Sequence, residues 1–322
     1  MQQVALPPPV QQPGATNARD RFLRRLQQQS PAVQPDASLL GQPGNVPAPL
    51  QLADLTNVPL LQRDPRYAYE NVSRRKVQQY QLPEPRREAW PTRRIFQNLI
   101  DPELSFQARA EEALAAPNLR PGDRARLTND LAVSRQTSSR AQQRLKNLGL
   151  EGTQAELEGY RVQYLRGEQQ RAQYRVNLGK RLIGETSKTP LDTEQMTSYG
   201  SGEGYGVFVL SPSGEFYVGE HRIQRFHHTS FLAGGEVRAA GEVKIQKGKL
   251  LEITNKSGHY KPTEEHTLAL LDHLASNGVP LRGVRLGLIA PRPGDLHNMN
   301  WVPDAQQWRE QKHKQLVQRQ AQ

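Results

Sequence analysis

Apolar residues are unevenly spread along this 322-residue chain, thinning sharply before about Gln154, and that asymmetry limits where a packed core can form. Hydrophobic residues make up only 35% of the whole, so one core covering every segment is not expected. The division that follows is a disordered Pro/Gln-rich leader over 1–60, a helical segment over 61–155, an α+β domain over 156–300 and a basic helical tail over 301–322.

The leader carries Pro7-Pro8-Pro9 and Pro43-Gly44-Asn45-Val46-Pro47-Ala48-Pro49, a composition that buries too little apolar area to offset chain entropy. Arg19 to Leu26 is an island within it, read as a plain linker or as a short basic amphipathic turn for a partner or membrane surface. The N-terminus has neither a basic n-region nor an apolar h-region, and no run approaches the roughly 18 apolar residues of a membrane span. The expectation is a soluble chain without a cleaved signal peptide, cytoplasmic or delivered by a non-classical secretion route. A leader of this kind would suit an exported, effector-like protein.

With 43 Lys and Arg against 32 Asp and Glu, the net charge is +11. That balance favours nucleic acid, acidic proteins or anionic lipid, or simply a solvated surface. No specific nucleic-acid module is legible, and a protein partner is expected. The absence of cysteine excludes disulfides, thiol catalysis and Cys-bearing zinc sites.

Two Ala-rich, charged runs, Phe106 to Leu114 and Asp123 to Leu148, read as an αα-hairpin stopped by Pro117 and Pro121 between them. Strand signals begin after Glu151, with two short strands around Gly179. Ser211-Pro212-Ser213-Gly214 reads as a type I turn folding Gly206–Leu210 back on Glu215–Gly219, with Val207, Val209, Phe216 and Val218 on one face and Phe208 and Tyr217 on the other. A second hairpin pairs Val243 with Ile253 and Ile245 with Leu251 across a three-residue loop, Lys247-Gly248-Lys249. A helix follows, capped by Thr263, lined by Leu268, Leu271 and Leu274 and stopped at Gly278, and Val279–Ile289 returns as one strand or a pair. Antiparallel hairpins with a packed helix make an α+β fold. The tail from Asp304 reads as a Gln-rich basic helix bearing Trp308, Leu316 and Val317, frayed or docked.

Chemistry concentrates between Phe226 and Pro262, where His228, Ser230, Gly234, Gly235, Glu242, Ser257, His259 and Tyr260 crowd among strand-forming residues. Neutral imidazoles can act as base or acid near pH 7, hydroxyls as nucleophiles or oxyanion donors, and Gly234-Gly235 lets backbone amides approach a phosphate. His228, Ser230, Ser257, His259 and Tyr260 are therefore the candidate catalytic set, and Gly234, Gly235 and Glu242 the candidate ligand-binding set. The structural alternative is that buried His and Ser are hydrogen-bonded to close a tight sheet corner. No metal site follows from spacing, since His227 and His228 would point to opposite faces of a strand and His266 and His273 lie seven apart on a helix.

From Tyr160 to Val284 the chain resembles the conserved region of the plant IQ-motif calmodulin-binding family, abbreviated IQM, a region with relatives in bacteria. The resemblance is carried by Tyr164-Leu165, Arg171, Tyr174-Arg175-Val176, Val207-Phe208-Val209-Leu210-Ser211, Tyr217-Val218-Gly219, Phe226 and His228 through Gly235. It continues in Ala239-Ala240-Gly241, Gly248, Leu250, Ser257 through Tyr260, Pro262-Thr263, Val279, Leu281 and Val284. It covers somewhat more than a third of the chain. Two departures limit what it implies: Val162-Gln163-Tyr164-Leu165-Arg166-Gly167 is one residue short of an IQ element, so calmodulin does not carry over, and Glu242 stands where plant members usually have a basic residue. Thr229 also replaces a Ser.

The resemblance implies the shared domain, not the plant partner, and the first reading is that this domain binds a ligand or protein partner through the His228 and His259 region. A second reading is an enzyme at the same place, because His228 and Gly258-His259-Tyr260 loosely resemble the His and Tyr with which ADP-ribosyltransferases hold NAD. NAD would then be the cofactor. The late catalytic acid of that family is missing, with Glu310 the sole candidate.

Overall fold

The computed structural model describes residues 19–23, 25–26, 58–63, 100–147, 162–198, 200–222, 225–289 and 299–320. The leader expected over 1–60 falls largely outside them. The chain is α+β. Helices α1 (Asp101–Ala115) and α2 (Pro121–Asn147) form an antiparallel pair. After the short α3 (Gly167–Ala172) come β1 (Arg175–Asn177), β2 (Ile183–Gly184), β3 (Thr197–Ser198), β4 (Gly202–Glu203), β5 (Gly206–Leu210) and β6 (Phe216–Gly219). The one-turn helix α4 (His228–Phe231) precedes β7 (Ala239–Gln246) and β8 (Lys249–Thr254). Helix α5 (Glu264–Ser276), β9 (Arg285–Ile289), β10 (Met299–Val302) and α6 (Ala305–Gln320) complete the order.

Eight strands form one mixed sheet in the order β10-β9-β8-β7-β5-β6-β1-β2, while β3 and β4 make a separate ribbon. Every neighbouring pair in the large sheet is antiparallel except β8 with β9. A parallel pair needs a crossover, and α5 supplies it. Thr263 caps α5, its hydroxyl accepting from the His266 N–H, as the sequence predicts. Leu268, Leu271 and Leu274 of α5, with Ala305 and Trp308 of α6, bury one face of the sheet against Phe208, Leu210, Phe216, Val218, Val243, Ile245 and Ile253. The tail is thus docked: Asp272, fully buried on α5, accepts from Arg309 at 2.5 Å and pairs with His313 at 2.8 Å.

The other face carries Val207, Val209, Tyr217 and Ala240, covered by Phe226, Phe231, Val237, Tyr260 and Leu61. Both faces being covered explains why β5 and β6 are buried at every position. Two registers differ from the sequence expectation. Val209 pairs with Tyr217 and Leu210 with Phe216, so Tyr217 joins Val207 and Val209, while Phe216 and Val218 join Phe208. The Ser211–Gly214 turn forms, with the Gly214 N–H donating to the Ser211 carbonyl at 3.1 Å. Gly214, at φ +94°, adds a residue before Ser211 and Glu215 pair, and one extra residue turns β6 over.

Val243 does pair with Ile253, but a register shift between Lys244 and Ile245 brings Ile245 opposite Leu250 rather than Leu251. The loop is therefore the two residues Lys247 and Gly248, both with positive φ, the mirror-image turn that suits a twisted hairpin.

The island at Arg19–Leu26 packs on the chain itself. Phe22, Leu23 and Leu26 are buried against Phe106, Ala110, Leu127 and Leu131 of the helix pair, and Asp20 accepts from Arg109 at 2.6 Å. These contacts complete an apolar stripe that is narrow in α1 and α2 alone. No helix among the described residues is long and apolar enough to cross a membrane.

Leu271 is fully buried at the centre of the α5 contact, whereas Val317 is 56% exposed on α6. Leu271→Ala is expected to cost about 2–5 kcal/mol in denaturant unfolding, against less than about 0.5 kcal/mol for Val317→Ala. Equal losses would mean that α5 does not pack as described.

Candidate functional site

The Phe226–Gly235 stretch folds as a corner, not as the strand expected for His227 and His228. Its hydroxyl residues explain the difference, since Ser and Thr side chains compete for local backbone groups and start a helical turn. The His227 N–H donates to Ser230 Oγ at 3.0 Å, and the Thr229 hydroxyl meets His227 Nδ1 at 2.9 Å. The turn ends where the Gly234 N–H donates to the Thr229 carbonyl at 2.7 Å. A side chain at Gly234 would come within 2.7 Å of Ser105 Oγ, so the corner is closed against α1 as well.

His228 Nε2 lies 2.8 Å from the Gly241 carbonyl of β7. A carbonyl accepts only, so Nε2 carries the proton. His227 stacks on His259, ring centres 4.4 Å apart and planes 11° from parallel. The Tyr260 hydroxyl donates to the Gly235 carbonyl at 2.7 Å, and the Tyr260 N–H donates to Ser257 Oγ at 3.4 Å. The fold therefore gathers His228, Ser230, Ser257, His259, Tyr260 and Gly235 around one corner, and none of the five candidate catalytic side chains exceeds 6% exposure.

Glu242 is held elsewhere. Both its carboxylate oxygens accept from hydroxyls, one from Ser198 and one from Ser201, and Lys256 closes the same loop by donating to the Gly200 carbonyl. Burial raises the Glu242 pKa against these stabilising bonds.

Burial also sets the protonation of the histidines. It lowers His228 to about 4 despite the Gly241 bond, and His221, near the same corner, to about 3. His227 and His259 lie well below the ordinary range, first through burial, then through neighbouring positive charge, from His259 for His227 and from Arg63 for His259. Burial raises Tyr260. At neutral pH the corner is an uncharged, internally hydrogen-bonded cluster.

Its outer wall comes from far away in sequence. Residues 58–63 lie across it as a strap: Leu61 and Val237 exchange backbone hydrogen bonds of 2.7 and 3.1 Å, and His266 Nε2 donates to the Pro59 carbonyl at 2.9 Å. Arg63 then donates to Asp101 at 2.9 Å and to the Tyr164 hydroxyl at 3.0 Å, while Tyr164 donates to Asp101. Ser105 of α1 donates to the Ala233 carbonyl at 2.5 Å. Sequence reasoning did not find Arg63, Asp101 or Ser105, because nothing local in those stretches distinguishes a residue that meets partners 38 to 128 positions away.

The mixed sheet, the buried polar corner and the segment 58–63 laid beside it belong to one α+β unit. Comparison places it further: residues 169–267 match the family described as the IQ motif-containing protein middle domain. Among similar proteins of Arabidopsis thaliana, IQ domain-containing protein IQM2 is 42% identical over 80 residues, covering 25% of this chain and 13% of that protein. IQ domain-containing protein IQM5 is 33% identical over 130 residues, covering 40% and 24%. IQ domain-containing protein IQM3 is 40% identical over 90 residues, covering 28% and 20%. The chain thus spans less than a quarter of the length of these three relatives. No solved structure matches. The IQM resemblance read from the sequence holds for this segment. It contains every candidate site residue, whereas the strap and the α1–α2 pair lie outside it.

Depressed histidine pKa values make stability pH-dependent. The unfolded chain takes up protons below its ordinary histidine value of 6.5, while folded His228 resists until about 4. Stability is thus fully present above pH 6.5 and falls as pH drops towards 4, by about 1.4 kcal/mol per unit for each such histidine. Urea unfolding at pH 7.5, 6 and 5 should follow this slope, and His228→Asn should flatten it by about one proton. A flat profile in the parent chain would contradict the buried, neutral cluster.

Proposed function

We propose that the IQM-like domain is a protein-binding module that recognises an extended peptide over the corner formed by Gly234, Gly235, His259 and Tyr260. The observation that carries this reading is the strap: residues 58–63 add main-chain hydrogen bonds at Val237, seat Leu61 in the apolar layer and anchor Arg63 on a carboxylate. Backbone pairing with an apolar side chain in a pocket is how proteins generally receive an extended segment. Here the chain's own segment occupies the place.

The same burial weighs against NAD-dependent ADP-ribosyl transfer at these residues. A ribose contact or base has to meet substrate, whereas the His228, Ser230 and Tyr260 groups are turned to Gly241, His227 and Gly235. Calmodulin is not the partner proposed for Val162–Gly167. Val162, Tyr164 and Leu165 are buried, and residues 162–166 lie outside any helix, with the Gln163 and Leu165 N–H groups donating to the Arg225 and Ser230 carbonyls at 2.7 and 2.9 Å. Calmodulin targets present an amphipathic helix.

A full-length Leu61→Asp variant tests the reading. It should bind a synthetic peptide of residues 55–66 with a micromolar Kd of order 10 μM, and regain melting temperature when the peptide is added, while the parent chain, its corner occupied, should bind none. A folded variant that ignores the peptide would overturn the proposal. Incubation of the parent chain with labelled NAD and lysate should give no transfer; transfer lost in His228→Ala would restore the enzyme.

A further inference from the structure

We propose that the end of the sheet bearing the β7–β8 turn is a cationic surface that adsorbs to anionic lipid bilayers. Among the described residues, several arginines are paired locally, as Arg109 is with Asp20, Arg171 with Glu112, Arg175 with Glu185 and Arg285 with Glu252. This end differs. The Lys247-Gly248 turn is clasped by two loops: the Leu182 N–H donates to the Gly248 carbonyl at 2.8 Å, and the Gly248 N–H donates to the Leu191 carbonyl at 2.7 Å. A side chain at Gly248 would lie 3.3 Å from both Arg181 Cβ and Pro190 Cβ, which shows how closely the three turns abut.

Arg181 lies at that junction beside Lys247 and Lys249, with Lys180 and Lys188 on the two flanking loops, and all five are exposed. None of the five side chains forms a hydrogen bond or ion pair with a described residue. The acids beside them offset part of the charge. Asp192 interacts with Lys247 electrostatically, and the backbone N–H groups of Glu194 and Lys247, at 2.9 and 3.0 Å, hold its carboxylate charged. Glu194 follows on the same loop, and Glu185 is drawn to Arg175. Five cations against the carboxylates of Glu185, Asp192 and Glu194 leave a local positive excess that attracts a polyanion.

The chemistry of the turns selects among polyanions. Residues 179–182, 184–190 and 246–249 contain no aromatic side chain on which a base could stack, which single-stranded nucleic acid recognition requires. They are turn tips, not a helix or strand face that could lie in a groove. Four of the five cations are lysines, compact point charges suited to lipid headgroup phosphates, and a cluster of four to eight basic groups is the usual size of an anionic-lipid site. The turns expose no large apolar side chain, so adsorption is electrostatic and reversed by salt. This surface is distinct from the corner under the strap.

Vesicle flotation of the full chain tests the assignment. The parent should float at low salt with phosphatidylcholine vesicles containing phosphatidylserine, not with phosphatidylcholine alone, and should be released at high salt. Lys180→Glu, Lys188→Glu and Lys247→Glu combined should lower partitioning roughly a hundredfold. A triple reversal of equal charge on the helices, Arg140→Glu, Lys314→Glu and Arg319→Glu, should retain most of it. Lys→Gln at the same three turn positions repeats the test should the Glu set fail to fold. Absence of flotation, equal loss in the turn and helix triples, or a turn-dependent loss seen only on single-stranded DNA would each overturn the proposal.

Discussion

The Arg63–Asp101 ion pair, closed by the Tyr164 hydroxyl, joins three parts of the chain that no local pattern connects. Asp101 is 1% exposed, and a carboxylate left there without partners would cost several kcal/mol in desolvation, which the bonds from Arg63 and Tyr164 offset. Burial also drives the Tyr164 pKa upward, keeping it a hydrogen-bond donor. Through this triad α1 is fixed against the 162–165 segment, the strap is anchored at one end, and Arg63 is brought against the Gly234 corner.

The sheet accounts for the rest of the corner. Gly241 has no room for a side chain between the Thr254 carbonyl and the Phe208 ring, and its own carbonyl receives His228. Backbone and imidazole are thereby locked together. Stacked Tyr174 and Phe226, with Phe231 edge-on to both, fill the space beneath. Burial lowers the pKa of His227, His228 and His259, and neighbouring positive charge lowers His227 and His259 further, so the three are neutral at physiological pH. A neutral corner of this kind suits a surface that presents backbone and shape to a peptide.

Much of the fold was legible in the sequence because it rests on local periodicity. The alternation of Val243, Ile245 and Ile253, the Thr263 cap and the Leu268, Leu271 and Leu274 stripe all translate directly into elements. Facing was harder, since a single extra residue at Gly214, or a bulge at Lys244, inverts or shifts a strand without altering its composition. The site was legible as a concentration of His, Ser, Tyr and Gly, and those residues do converge. What the pattern could not show was their orientation inwards, or the strap and helix pair that cover them, because Leu61 with Val237 and Ser105 with Ala233 are contacts across long sequence separations. The parallel β8–β9 pair was likewise hidden behind the α5 crossover.

The central claim is that the strap is a removable occupant of the histidine corner. Diethyl pyrocarbonate labelling with peptide mass spectrometry reads it most directly. In the parent chain at pH 7, His227 and His259 should react far more slowly than an unfolded-chain control. In Leu61→Asp they should become reactive while the circular dichroism is kept, and the 55–66 peptide should protect them again. Histidines that stay protected after the strap is displaced, or that react equally in both chains, would contradict the account.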